Sequence, residues 1–420
     1  MPRGGRRRDF GLLWAGETAS KVGSAITTVA LPLVAVGHLN ASTFEVAMLG
    51  AAVWLPWLVV GLPAGALVDR LAGKPLMVFC NVASTVLLTS VPAAVALDAL
   101  TFPHLALVAF GTAVATVFFS TAYQRFLPSV VDVDFLPAAN ARMQGSESVA
   151  QVVGPSLGGL LAAAFGAAAG LAIDAMTFLA STACLVAIRT REPVRKAPAE
   201  SLRKIPHEIA QGLRYLLRDP YLRVIAAFSA STNLAGSMLQ AVLVIYLVRD
   251  LGLGEWTAGT VLSLVGVGGI AGAAVATPVA RRCGTARGLL LCQLCSAPFA
   301  LLMPLATPGA GLAFLVVGGA VTTAGVIAFN VVFGAFRATY VPRHLLGRVV
   351  ASTRFLNYGT MPIGALLGGI VGTALGVPAA LWISAAGTTA AVLILFIGPV
   401  SRQRDLPAGP AAAEDAVPKP

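Results

Sequence analysis

Residues 136–166, LPAANARMQGSESVAQVVGPSLGGLLAAAFG, align with residues 346–376, LGRVVASTRFLNYGTMPIGALLGGIVGTALG, at an offset of 210 positions. The alignment superposes three glycines of the first stretch on three of the second, Gly158, Gly159 and Gly166 on Gly368, Gly369 and Gly376. A second match, at an offset of 211, superposes Gly61 and Arg70 on Gly272 and Arg281. Offsets this similar predict a chain built from two related halves, a duplication typical of secondary transporters.

The composition excludes a water-soluble globule. The 420 residues are 57% hydrophobic and only 11% charged, and the mean hydropathy is +0.83. In soluble domains about a quarter of the residues are charged. The apolar residues form blocks of roughly 20 to 25, long enough for an α-helix to cross a hydrocarbon core of about 30 Å. The sequence therefore predicts an all-α membrane protein.

Twelve such blocks predict twelve transmembrane helices in two six-helix halves. The blocks cover residues 10–36, 45–68, 76–97, 103–123, 141–165, 168–188, 222–247, 256–279, 287–306, 310–334, 350–375 and 378–398. The expected domains are an N-terminal six-helix bundle over 1–188, a cytoplasmic linker over 189–221, a C-terminal six-helix bundle over 222–400 and a disordered tail over 401–420.

The distribution of Lys and Arg predicts the orientation. Basic residues translocate poorly and collect on the cytoplasmic side. If the N-terminus is cytoplasmic, almost every basic loop residue lies on that side, and only Arg249 lies opposite. We therefore expect a multi-pass protein of the cell (inner) membrane with both termini in the cytoplasm. The net charge of +11 follows this rule, so it does not indicate a nucleic-acid partner.

Motifs for metals, nucleotides and catalysis are not apparent. The Cys292 and Cys295 pair lies in an apolar block without a second pair, which argues against a metal or redox site. The Gly73 and Lys74 pair resembles the end of a phosphate-binding loop, but the earlier glycine of that motif is missing, so the sequence does not predict an ATP site. We expect no cofactor, no metal and no catalytic residues, so an enzyme is not predicted.

Two short motifs indicate conformational change. Residues 65–70, GALVDR, end the second block with small residues followed by an acid and a base. The carboxylate of this acid could cap the N-terminus of a neighbouring helix. Residues 154–159, GPSLGG, lie inside the fifth block, where glycines permit close helix approach and Pro155 favours a kink. The alternatives are a plain span end for the first motif and ordinary glycine packing for the second.

With these motifs the chain resembles the major facilitator superfamily. GALVDR followed by Gly73 and Lys74 is similar to the superfamily's loop signature, and GPSLGG is similar to the fifth-span signature of its exporters. Residues 126–159, 347–349 and 362–369 are similar to its enterobactin-exporter and macrolide-efflux branch. The resemblance implies that Asp69 and Arg70 stabilise an outward-facing state near Arg348. The gating candidates are Gly65, Asp69, Arg70, Lys74, Gly154, Pro155, Gly158, Gly159 and Arg348.

Charged and polar residues inside spans are costly and usually face a cavity or a partner. Glu17 and Lys21 share one face of the first span with Ser24 and Thr28, at a spacing that permits an ion pair. Asp174 is expected near the outer surface, where water can solvate it. A carboxyl group in low dielectric can carry a proton. The candidates for proton or substrate handling are Glu17, Lys21, Glu147, Asp174, Asn233, Gln240, Asn330 and Tyr123.

Together these features predict a secondary active transporter that works by alternating access. It would export a small amphipathic or hydrophobic molecule in exchange for protons, and the resemblance implies a drug, macrolide or siderophore. An uptake porter is the first alternative, and a membrane-embedded enzyme or receptor is the second. The expected partners are the small-molecule substrate, protons and the lipid bilayer, and we expect a monomer.

Overall fold

The computed structural model of the protein describes residues 3–68, 71–190, 201–407 and 409, and within these ranges it contains helices but no strands. The α-helices are α1 (Arg3–His38), α2 (Thr43–Val59), α3 (Gly61–Val68), α4 (Gly73–Ala96), α5 (Phe102–Val130), α6 (Leu136–Phe165), α7 (Ala167–Ala187), α8 (Ser201–Arg218), α9 (Pro220–Ile245), α10 (Glu255–Cys283), α11 (Thr285–Ser296), α12 (Leu312–Tyr340), α13 (Arg343–Leu375), α14 (Val377–Ala391) and α15 (Ile394–Ile397). The prediction of an all-helical fold is confirmed.

Eleven helical segments in the described ranges are long and apolar enough to cross a membrane. The second predicted span is divided into α2 and α3. Its first helix ends at Val59, four residues before Pro63, and a proline has no N–H to donate to the carbonyl four residues earlier in a helix. Taken together, α2 and α3 are consistent with the twelfth predicted span.

The turns between helices repeat along the chain. Gly166, between α6 and α7, has φ 84° and ψ 153°, and Gly376, between α13 and α14, has φ 89° and ψ 155°. Two further pairs of positive-φ residues recur at almost the same separation, Asp98 with Gly309 and Asn40 with Gly252. The repeat predicted from residues 136–166 and 346–376 therefore extends to the backbone conformation of the connections.

The Cα positions fall into two compact units, Met1–Leu202 with Ala241–Ser263, and Arg203–Gln240 with Leu264–Pro420. In the first unit, α1 packs closely on α6 and α7 through small residues. A Cβ atom built at Gly16 would lie 3.0 Å from the Cβ of Cys184, and one built at Gly170 would lie 2.8 Å from the Cβ of Ala30. In lipid the hydrophobic effect does not drive helices together, so helix association depends on close packing, and small residues allow the two backbones to approach closely.

In the second unit, the linker helix α8 packs against the ends of α9, α12 and α13. Leu216 of α8 is buried in an apolar cluster with Phe228, and Asp219 begins α9 by accepting hydrogen bonds from the N–H groups of Tyr221 and Leu222 at 2.9 Å. The Tyr340 hydroxyl donates to the other oxygen of Asp219 at 2.7 Å. The helix α8, which lies within the stretch 189–221 expected as a linker, is thus an ordered part of this unit.

The ninth span changes helix type halfway. The α-helix α11 ends at Ser296 and continues as a 3₁₀-helix over Ala297–Leu305, which contains Pro298 and Pro304. Proline removes hydrogen-bond donors, and long 3₁₀ runs are uncommon. The Thr389 hydroxyl of α14 donates to the Ala297 carbonyl at 3.1 Å and so satisfies an acceptor at this junction.

The chain after α15 packs on the start of α11. The backbone N–H of Arg287 donates to the Arg404 carbonyl at 3.2 Å, and the N–H of Thr285 donates to the Asp405 carboxylate at 2.9 Å. These contacts satisfy N–H groups that the first turn of a helix leaves without intrahelical partners. Residues 410–420 of the expected tail lie outside the described residues.

Candidate functional site

A cluster of ionisable groups lies between α1, α5 and α6 of the first unit. The Nζ atom of Lys21 lies 2.6 Å from Oε2 of Glu147, and the two side chains are 28% and 40% exposed. Glu17, one turn before Lys21 on α1, is only 8% exposed and interacts electrostatically with Lys21, Glu147 and Tyr123. We call Glu17, Lys21, Tyr123 and Glu147 the charged cluster.

The ion pair in this cluster differs from the one that helical spacing permits. Lys21 follows Glu17 by four residues, yet its hydrogen bond goes to Glu147 on the neighbouring helix α6. Among the described residues, no group donates a hydrogen bond to Glu17, and the Tyr123 hydroxyl is buried without a partner. The cluster therefore holds two acids and one base, with Glu17 as the more buried acid.

Polar contacts one turn away orient α6 against α1. The indole N–H of Trp14 donates to Oγ of Ser146 at 2.9 Å, and the Thr18 hydroxyl contacts the same oxygen at 3.0 Å. Ser146 directly precedes Glu147, so these contacts position Glu147 beside α1. The sequence analysis missed Trp14, Thr18 and Ser146, because the spacing within one helix does not reveal which helix packs against it.

Asp174 is buried rather than solvated, and our expectation for its surroundings was wrong. The residue is 2% exposed. The Thr27 hydroxyl of α1 donates to Oδ2 at 2.5 Å, and the Thr177 hydroxyl lies 3.2 Å from Oδ1. The closely packed Gly23 of α1 lies beside it, and a Cβ built there would lie 3.0 Å from the Cα of Asp174. Asp174 thus ties α1 to α7.

The residues of the first gating motif are only partly described. Asp69 and Arg70 lie outside the described residues, and Gly65 lies in α3. Lys74, in the first turn of α4, donates to the carbonyls of Val186 and Ile188 at 3.1 Å and 2.6 Å. A cation at this place stabilises the carbonyls that end α7.

Arg348, in the second turn of α13, contacts the linker helix. Its Nη1 atom donates to Oε1 of Gln211 at 2.5 Å. The α8 backbone approaches closely at Gly212, where a Cβ would lie 2.5 Å from the Arg348 carbonyl oxygen and 2.6 Å from Oγ of Ser352. The start of α13 is therefore held by α8 in the second unit.

The glycines of the second gating motif lie at helix crossings. Gly154 and Gly158 face α1, and a Cβ built at Gly158 would lie 3.0 Å from the Ile26 carbonyl oxygen. Gly159 faces α10, where its Cβ would lie 3.0 Å from the Cα of Gly259. After Pro155, the N–H of Ser156 donates to Oγ of Ser263 at 2.8 Å. The first unit thus contains a close crossing of α6 and α10.

The second unit contains a small polar cavity of about 30 Å³ between α9, α11 and α12, which we call the amide pocket. It is lined by Phe228, Ser229, Thr232, Asn233, Gln293, Val326, Phe329 and Asn330. Two of the predicted substrate residues, Asn233 and Asn330, therefore meet in one cavity. The predicted Gln240 is exposed and does not line it.

Gln293 is the lining residue that the sequence analysis missed. It is 2% exposed and lies in α11, whose other residues are mostly apolar. A single amide in an apolar span is itself a signal, because such a group needs a partner or a cavity. The aromatic wall of Phe228 and Phe329, with ring centroids 4.8 Å apart, carries no comparable signal.

Within the part of the chain that the structure describes, no group of three or more His, Cys, Asp or Glu side chains could hold a metal ion. The described cysteines are unpaired thiols.

Comparison with known proteins places the chain among membrane transporters. The family of transmembrane secretion effectors matches residues 5–416. The multidrug efflux pump Tap of Mycolicibacterium fortuitum is 27% identical over 377 residues, which cover 88% of this chain and 90% of that protein.

Solved transporters share the fold. The nucleoside transporter NupG superimposes with a TM-score of 0.71 at 15% identity and covers 93% of this chain and 98% of its own. A bacterial homologue of the iron transporter ferroportin, in an inward-facing state, has a TM-score of 0.73 at 17% identity, and the match covers 93% of this chain and 98% of that chain. At these identities the similarity concerns the fold alone.

Proposed function

Because the chain belongs to the transmembrane secretion effector family of the major facilitator superfamily, and is a multi-pass membrane transporter rather than an enzyme, we propose that it exports a small amphipathic or hydrophobic molecule in exchange for protons. The similarity to Tap, whose name describes multidrug efflux, supports a drug-like substrate. We further propose that the protein is a monomer in the cytoplasmic membrane with both termini inside, an orientation that the distribution of basic residues supports.

The buried carboxyl of Glu17 carries this proposal. Glu147 holds the Lys21 ammonium at 2.6 Å, so Glu17 is left without a hydrogen-bond donor among the described residues. Proton binding neutralises Glu17 and removes its attraction for Lys21. Proton release restores both, so the charge balance between α1 and α6 changes with each cycle. In this proposal Glu17 is the main proton carrier, and Glu147 responds through Lys21.

The remaining predicted residues take roles around this step. Asn233 and Asn330 bind substrate in the amide pocket, while the exposed Gln240 contacts it outside the pocket. In this proposal helix movement depends on the close crossings of α6 at Gly154, Gly158 and Gly159, on Pro155 within α6, and on the contacts of Lys74 and Arg348. The motif residues Gly65, Asp69 and Arg70 are assigned to the same movement from the sequence.

Flux in inverted membrane vesicles tests the function. Vesicles with an acidified interior are given candidate drugs, and a fluorescent dye reports the proton gradient. An exchanger moves drug inward and protons outward, so each transported drug should lower the gradient. An uptake porter would instead move preloaded drug out together with protons.

Two variants test the role of the acids. Glu17→Gln should bind drug but no longer couple it to proton flux. Glu45→Gln is the matched control, because Glu45 caps α2 in a capping box with Ser42 and glutamine can take the same place. Full proton-coupled export by both Glu17→Gln and Glu147→Gln would exclude these acids from the mechanism.

A further inference from the structure

The lining of the amide pocket selects the chemistry of its ligand. Resting on the export function proposed above, we infer that this pocket binds an N–H group, amine or ammonium, on an aromatic part of the substrate, and that Gln293 is a specificity-determining residue. Neither the residue nor this preference follows from the family resemblance.

Two of the three amides of the pocket, Asn233 and Gln293, each use one of their two N–H groups to bind a protein carbonyl. Nδ2 of Asn233 donates to the Ser229 carbonyl at 2.9 Å, and Nε2 of Gln293 donates to the Gly325 carbonyl at 2.7 Å. A backbone carbonyl can only accept, so the nitrogen and oxygen of each amide are assigned by its partner. Both amide oxygens are left to accept, and no described protein group donates to them.

The Thr232 hydroxyl is a further hydrogen-bond acceptor in the pocket. It donates its proton to the Phe228 carbonyl at 2.9 Å, one turn earlier on α9, and so also faces a ligand as an acceptor. Asn330 makes no hydrogen bond to the described residues, so its two N–H groups remain available beside one each of Asn233 and Gln293. Against these donors stand about two lone pairs on each of the three amide oxygens and on the Thr232 hydroxyl. The pocket therefore offers more acceptors than donors and favours a ligand that donates.

The apolar wall of the pocket favours an aromatic or cationic group. The rings of Phe228 and Phe329 lie 4.8 Å apart, and Phe329 continues to Phe333 at 5.8 Å. Aromatic faces are electron-rich and attract cations, while their edges and faces pack well against other rings. No charged side chain lines the pocket, so an N–H group binds there through amide oxygens and rings rather than through an ion pair.

The volume limits how much of a substrate enters. Pockets that enclose a drug-sized ligand span roughly 300–1,000 Å³. At about 30 Å³ the amide pocket admits only a group about the size of two water molecules, such as an amine or ammonium, and leaves the ring that carries it and the rest of the molecule outside. The pocket is thus a recognition subsite for one end of a larger substrate.

A matched pair of dyes tests the inference. Rhodamine 123 carries two nitrogen groups with N–H donors, whereas tetramethylrhodamine methyl ester has the same cationic ring system with every nitrogen methylated. Binding of each dye to the purified full-length protein is measured by fluorescence anisotropy. We expect rhodamine 123 to bind about tenfold more tightly, the effect of one well-placed hydrogen bond. Equal binding of the two dyes, or binding of neither, would overturn the inference.

Variants then locate the preference. Gln293→Leu and Asn233→Leu should each remove most of the preference for rhodamine 123 and leave the binding of the methylated dye nearly unchanged. Asn140→Leu is the control, because Asn140 makes the same bond to a carbonyl one turn earlier but lies at the start of α6. A thermal unfolding curve shows whether each variant is folded. Retention of the full preference in both pocket variants would contradict the assignment.

The same dyes separate this inference from the proposed function. If the binding preference is present but neither dye dissipates a proton gradient in vesicles, the subsite stands and proton-coupled export fails. If both dyes are exported equally by the wild type and by Gln293→Leu, export stands and the subsite assignment fails.

Discussion

The Nζ atom of Lys21 lies 2.6 Å from a carboxylate oxygen of Glu147, so this ion pair joins α1 to α6 instead of forming within α1. Glu17 lies within electrostatic reach of both groups. One base therefore serves two acids, and its removal leaves two negative charges without compensation. Like charges at close range disfavour the ionised forms.

This arrangement predicts a pH-dependent defect for Lys21→Met. At neutral and higher pH the two carboxylates repel, so the variant should unfold at a lower temperature than the wild type. Acidification protonates the acids and removes the repulsion, so the difference should shrink as the pH falls. Thermal unfolding of the detergent-solubilised protein at several pH values measures this difference in melting temperature between the variant and the wild type. Lys21→Met/Glu147→Gln should restore most of the stability, and a difference independent of pH would contradict the explanation.

Asp174 supports a second prediction. Its carboxyl accepts a hydrogen bond from Thr27 across the α1–α7 interface and is almost fully buried. Asp174→Leu leaves the Thr27 hydroxyl without its acceptor and should destabilise the protein by about 1–3 kcal/mol. Asp174→Asn keeps an acceptor oxygen and should cost much less. The free energy of unfolding in denaturant compares the two, and equal losses would argue against the hydrogen bond as the cause.

The α6–α10 crossing gives a third prediction. A methyl group at Gly159 would contact the Cα of Gly259 at 3.0 Å and the Glu255 carbonyl oxygen at 2.5 Å, so Gly159→Ala must separate the two helices. Overpacking of this kind costs about 1–3 kcal/mol. We expect a lower melting temperature and slower initial transport. Gly145→Ala on the same helix, where a Cβ meets nothing within 4 Å, should leave both unchanged.

The helices could be predicted from the sequence because hydrocarbon thickness constrains their length. Eleven of the twelve expected blocks correspond to helical segments of spanning length in the described ranges, and α2 with α3 is consistent with the remaining one. The contacts between side chains of different helices could not be predicted from the sequence. Lys21 and Glu147 are far apart in sequence, and only the packing of α6 on α1 brings them together. Periodicity shows which residues share a face of one helix, but it gives no information about the neighbouring helix.

The amide pocket shows the same limit. Asn233 and Asn330 were predicted as substrate residues because each is polar within an apolar span. Gln293 has the same property, but it was overlooked because only Ser296, the last residue of α11, is polar at helical spacing from it. What distinguishes it is its hydrogen bond to the Gly325 carbonyl on α12, which no pattern within one span can reveal.

The duplicated turns support a final prediction. Gly166 and Gly376 share nearly the same positive-φ conformation, which side chains with a Cβ adopt only with strain. Space is not the constraint, because a Cβ built at Gly166 meets nothing within 4 Å. Each alanine substitution should therefore destabilise the protein by about 1–3 kcal/mol through backbone strain alone. Gly236→Ala, at an equally open site within α9, should be neutral or slightly stabilising, because alanine favours helix. If Gly166→Ala and Gly376→Ala were as harmless as Gly236→Ala, these connections would tolerate other backbone conformations, and their recurrence would not reflect a shared structural requirement.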